Sequence, residues 1–166
     1  MNDSGATWEK RVADLWAALD DLDPEHFVAK LDLLVLELPR DSAIGLFERG
    51  AAQDSTGHPD LAVPLYRAAL RAGLTGLRRR RAVIQLASSL RNLGEAKESV
   101  ALLTDELAFG SDELDDAVRA FLALALTDVG RCPEAVSHAL TALAPHLPRY
   151  QRSLAAYAQD LAGDSS

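Results

Sequence analysis

The stretch Gly57–Leu74, GHPDLAVPLYRAALRAGL, decides the fold. A glycine, a short polar turn, the small Ala62 and the aromatic Tyr66 describe one helix ending and the next beginning with a tightly packed face. Glycine at 57 suits the left-handed conformation that closes a helix. Pro59 and Asp60 suit the first turn of a helix running through Leu61, Leu65, Tyr66, Ala69 and Leu70 to about Ala72. Pro64 removes one helical hydrogen bond, so this helix is expected to start late or to bend there. Similar stretches follow Gly94 and Gly130.

Working outward, every other segment also reads as helix. Thr7 is expected to cap a helix carrying Trp8, Val12, Leu15, Trp16, Leu19 and Leu22 on one stripe. Asp23-Pro24 supplies a cap and a first-turn proline for a second helix, Glu25 to Leu38, whose wide apolar face calls for burial on two sides. Pro39 stops it, Asp41 or Ser42 caps the next, and Ile44, Leu46, Phe47 and Gly50 lead to the break at Gly57. Helices follow over about Leu77 to Asn92 and Ala96 to Leu107. Ser111 opens another, with Asp112, Glu113, Asp115 and Asp116 in its first turns where the helix dipole favours negative charge. Pro133 begins one through Leu143, and a last helix, about Arg149 to Leu161, offers Leu154, Tyr157 and Leu161 to cover an exposed end. No strand pattern appears.

The totals agree. At 166 residues the chain suits one domain, and 48% apolar with only 5% aromatic residues is the composition of a folded helical protein. The net charge of -8 is uneven: -6 over residues 1–42, +2 over 43–108 and -4 over 109–166. An acidic total argues against nucleic-acid binding over a broad surface, which needs a field of Lys and Arg. Cys132 is the single cysteine, which excludes an internal disulfide and fits a reducing compartment. No basic start followed by an apolar run, and no stretch of eighteen apolar residues, marks a leader or a membrane span. The expected location is the cytoplasm, with no membrane partner.

Laid over one another, the three glycine turns repeat more than the glycine. A small residue stands five places after each, Ala62, Ser99 and Ala135, and another seven places before, Gly50, Ala87 and Ala123. Tyr66, Leu103 and Ala139 follow at one further register position, and Ala69, Glu106 and Ala142 at the next. In this recurrence the sequence resembles the tetratricopeptide repeat (TPR) family, whose unit is a pair of antiparallel helices with small residues at the helix contacts. Gly50, Gly57, Ala62, Tyr66 and Ala69 match best. Ser99, Glu106 and Ala139 depart from the usual residue types, and no repeat has the expected first-helix tryptophan. The resemblance implies an all-α fold, a right-handed superhelical stack of antiparallel hairpins with a capping helix over 149–161. It divides a single domain, 1–166, into a divergent helix pair at 7–38 and repeats at 43–76, 80–110 and 116–148.

It also implies that the first helix of each repeat lines a groove. The candidate groove residues are Phe47 and Asp54, then Arg78, Arg81, Ile84, Ser88, Arg91 and Asn92, then Leu124 and Asp128. This is a surface with apolar ends and a basic, polar middle that suits a peptide with an acidic side chain. The run Arg78-Arg79-Arg80-Arg81 fans over a full helical turn, and its blander reading is solvated or internally paired arginines, with the acids at 112–116 as the partner set. The four histidines show no metal-ligand spacing, the serines lack a nucleophile-elbow context, and the glycines never form a phosphate loop. No cofactor, metal or catalytic residue is expected. The reading is a non-catalytic scaffold that binds a protein or peptide. Its alternatives are a homodimer through the N-terminal or C-terminal helices and a small enzyme whose site the sequence hides.

Overall fold

The structure, a computed structural model, describes residues 3–163. Among these, nine α-helices and two short 3₁₀ turns account for the regular structure, and there is no strand. The helices are α1 (Asp3–Ala17), α2 (Pro24–Val35), α3 (Ala43–Ser55), α4 (Pro59–Arg71), α5 (Gly76–Asn92), α6 (Ala96–Phe109), α7 (Asp115–Asp128), α8 (Cys132–Leu143) and α9 (Gln151–Gly163). Contacts divide the chain into two compact units, with the boundary after Ala82 inside α5.

The turns are built by backbone chemistry legible residue by residue. Gly57 has φ +88, and the N–H of His58 reaches back to the Gln53 carbonyl at 2.9 Å while that of Gly57 reaches Asp54 at 3.1 Å. This closure satisfies carbonyls that a helix end leaves open, and it needs a residue without a Cβ penalty at positive φ. The same pair of bonds recurs at Gly94 and Gly130. At helix starts, the Asp23 carboxylate accepts from Glu25 and His26 backbone N–H groups at 3.0 and 3.2 Å, with Pro24 behind it. Ser42 accepts from Gly45 at 3.3 Å.

Several expected boundaries move. Thr7 lies inside α1, which already begins at Asp3, so the helix does not start at Thr7 as expected. α2 stops at Val35 because the amides of Glu37 and Leu38 turn back to Leu34 and Val35 in the tighter three-residue pattern. α4 starts at Pro59, so Pro64 sits within it and does not delay its start. Pro64 is exposed, which lets water take the carbonyl bond it forfeits. α7 begins at Asp115, since Asp112 and Asp115 spend their carboxylates on the turn before it, accepting from Leu114 N–H at 2.8 Å and Asp112 N–H at 3.1 Å.

In the first unit, Trp8, Val12, Phe27, Leu31, Val35 and Ala52 form a buried cluster joining α1, α2 and α3. The Trp8 indole N–H donates to the Leu34 carbonyl at 2.8 Å, and Trp16 meets Phe27 edge-on at 4.9 Å. α3 and α4 form an antiparallel hairpin packed tightly at Gly50, where an added Cβ would lie 2.9 Å from the Tyr66 ring. The second unit is built on Leu103, Val118, Leu122 and Leu126, with Ile84, Ala87, Ala123 and Ala135 in the same cluster. α9 packs on α8, where the Ser137 hydroxyl donates to the Ala158 carbonyl at 2.6 Å. Ala158 is the fully buried residue of that contact and Tyr157 is 64% exposed, so the covering surface is smaller than the one expected from Tyr157.

Ser99 occupies the position held by Ala62 and Ala135 in the other repeats, and its buried hydroxyl finds no partner among the described residues. An unsatisfied buried hydroxyl is a net loss, so Ser99→Ala is expected to stabilise the protein by about 1 kcal/mol, read as a higher thermal midpoint. A lower midpoint would contradict this assignment of the hydroxyl.

Candidate functional site

In the first unit, α3 and α5 bring together a set of charged and aromatic side chains. Phe47 and Tyr66 are both fully buried, with ring centroids 6.2 Å apart. The Tyr66 hydroxyl donates to Asp54 at 3.5 Å. Burial, with the Asp54 charge next in size, holds the Tyr66 phenol far above its ordinary range, so the hydroxyl remains a donor. Arg81 lies over the Phe47 ring, 5.2 Å from its centroid, in the geometry of a cation–π contact. Phe47 therefore supports the guanidinium from beneath and does not itself present a surface.

Arg78, one helical turn before Arg81, is fully engaged. Its Nε donates to Glu48 at 3.0 Å, and its two terminal nitrogens form a fork onto Glu9 at 3.0 and 2.5 Å. Glu48 is 2% exposed and also accepts from the Trp16 indole N–H at 2.8 Å. One buried carboxylate thus ties α1, α3 and α5. The expected partner set for Arg78, the acids at 112–116, is replaced by Glu9 and Glu48, which the hairpins carry to it across 69 and 30 residues of chain. Arg81, by contrast, has no carboxylate within ion-pair distance among the described residues and is exposed. Two cavities adjoin these arginines, and both are lined by Arg78 and Arg81. One, of about 630 Å³, also has Ser42, Ile44, Leu74 and Leu77 on its wall. The other, of about 300 Å³, has Glu9, Trp16 and Glu48.

In the second unit the remaining candidates fare differently. Ile84 is buried in the core, Ser88 is half-buried and Asn92 is exposed. Arg91 pairs with Asp128 at 2.5 Å, so each spends its charge on the other. Leu124 is 47% exposed beside an open apolar groove of about 400 Å³ between α7 and α8, lined by alanines with Val136 and Thr127.

Residues 43–161 match the family profile described as Tetratrico peptide repeat. The chain belongs to the tetratricopeptide repeat family. A solved TPR structure, described as "Crystal structure of YrrB: a TPR protein with an unusual peptide-binding site", is similar to it with a TM-score of 0.54 and 19% identity, over 92% of this chain and 84% of that one. No curated protein matches the chain. The all-α fold of TPR hairpins expected from the recurrent glycine turns is thereby shown.

Three residues around Arg78 were not among the sequence candidates for the groove: Glu9, Glu48 and Trp16, the last expected only as part of the apolar stripe of α1. Glu48 had a signal, since it interrupts the buried face of α3 between Phe47 and Ala51, where an acid calls for a buried partner. Glu9 had none; in sequence it is an acid of α1 like Asp14, with nothing local to set it apart. Among the described residues no group of three or more His, Cys, Asp or Glu is placed to hold a metal ion. No helix among them is long and apolar enough to cross a membrane.

Proposed function

We propose that this TPR protein is a non-catalytic scaffold that binds a protein or peptide through the first helices of its repeats, and that Arg81 anchors an acidic side chain of the partner. The observation that carries this reading is the state of Arg81: a permanent cation, exposed, held in place over Phe47, without a carboxylate partner among the described residues and beside a cavity of about 630 Å³, large enough for several atoms of a ligand. A guanidinium pre-positioned by an aromatic face loses little freedom on binding, which favours affinity. The solved TPR protein described as having a peptide-binding site supports the same class of ligand. Within the first unit Phe47 contributes by packing beneath Arg81 and Asp54 by its bond to Tyr66, while the second unit, taken by itself, exposes Leu124 and Asn92.

The test uses fluorescence anisotropy with a fluorescein-labelled Gly-Ser decapeptide carrying two central glutamates, against a twin carrying glutamines. Arg81→Glu is expected to weaken binding of the glutamate peptide about tenfold or more, the equivalent of one charge-assisted hydrogen bond. Equal affinity of the variant and the parent chain for that peptide would remove Arg81 from the reading.

A further inference from the structure

The fork that Arg78 makes on Glu9 has the form of a ligand complex. Both terminal nitrogens of one guanidinium meet both oxygens of one carboxylate, the geometry in which arginine recognises a free acid. We propose that Arg78 and Arg81 together form one anion site for an acidic peptide, and that Glu9 occupies half of it as an internal ligand which the incoming carboxylate displaces. This rests on the reading of Arg81 given above and adds to it the residue that sets the site's affinity.

Three observations carry the assignment. Arg78 and Arg81 are three residues apart on α5, which places them on one helix face, and both line both cavities. The two acids on Arg78 are held very differently. The Glu48 side chain is 3% exposed and has the Trp16 N–H as a second donor, so withdrawing it strands a buried charge. The Glu9 side chain is 46% exposed, and no other bond holds its carboxylate among the described residues. An exposed pair is weak and exchanges with water and competing anions. Glu9 is therefore the replaceable partner and Glu48 the permanent one. With Glu48 on Nε fixing the plane of the guanidinium, the two terminal nitrogens stay aimed at the place Glu9 fills.

The proposal sets an affinity as well as a site. Each acidic ligand competes with a carboxylate already attached to the protein at high effective concentration, so the apparent affinity is lowered by the fraction of time Glu9 is bound. Removing the charge of Glu9 lifts that competition and opens the two terminal nitrogens of Arg78, still held through Nε by Glu48, to a ligand beside Arg81.

The experiment compares the full chain with Glu9→Gln, using the glutamate and glutamine decapeptides as probes. Glu9→Gln is expected to bind the glutamate peptide about three- to fivefold more tightly, the limit set by an exposed pair, with no change toward the glutamine twin. A second measurement is made on the unaltered chain: the guanidinium ¹⁵N resonances of Arg78 should shift when the glutamate peptide is added and stay in place with the twin. Unchanged or weaker binding by Glu9→Gln, or silent Arg78 resonances, overturns the internal-ligand proposal, while loss of binding in Arg81→Glu still upholds the scaffold reading. If neither the parent chain nor Glu9→Gln distinguishes the two peptides, the scaffold reading at Arg81 and this proposal fall together.

Discussion

Tyr66→Ala is expected to lower the free energy of unfolding by about 3–5 kcal/mol, the range for truncating a buried aromatic side chain. The ring is fully buried, faces Phe47 at 6.2 Å and fills the space against Gly50, where even a methyl group would lie 2.9 Å from it. Neither helix of the α3–α4 hairpin easily closes on the void, because their separation is set along the whole contact. Tyr66→Phe separates ring from hydroxyl. The bond to Asp54 is long at 3.5 Å, so this variant should lose less than about 1 kcal/mol. Urea unfolding followed by helical circular dichroism reads both, and equal losses in the two variants would assign the effect to the hydroxyl and not to packing.

The second large effect is expected at Glu48. Glu48→Ala removes the acceptor of the Trp16 indole and of Arg78 Nε at once. Loss of one partner of a buried pair costs about 3–5 kcal/mol when the other charge is left dry. Here Arg78 keeps Glu9 and its side chain is 26% exposed, so the loss should lie lower, at about 2–3 kcal/mol. Glu48→Gln should recover only part of it, since one end of the amide is a donor facing a donor. A urea midpoint for Glu48→Ala equal to that of the parent chain would show that the network does not hold α1 and α5 to α3.

These two sites also divide what was legible from what was not. Tyr66, Ala62, Ala69 and Gly50 were readable because the repeat prints them at matched positions, and each register position has one packing role. Ala139 shows the limit of that argument: it stands where Tyr66 and Leu103 are fully buried, yet it is exposed and lines the groove between α7 and α8. Phe47 was readable as a residue of the first helix, but its side chain is consumed beneath Arg81. The arginine run illustrates the same difficulty. Spacing places Arg78 and Arg81 on one face, whereas which of them is neutralised depends on acids that arrive from other helices.

The sequence by itself determined the helices, their breaks and the family. Asp23-Pro24, Ser42 and the glycines at 57, 94 and 130 act on the backbone within a few residues, so their effect needs no knowledge of the rest of the chain. The tertiary structure alone decided which charges are free. Arg78 is neutralised by Glu9 and Glu48 across 69 and 30 residues and Arg91 by Asp128 across 37, while Arg81 meets no carboxylate among the described residues. Ion pairing depends on distances of a few ångströms between side chains from different helices, and no local pattern encodes those distances.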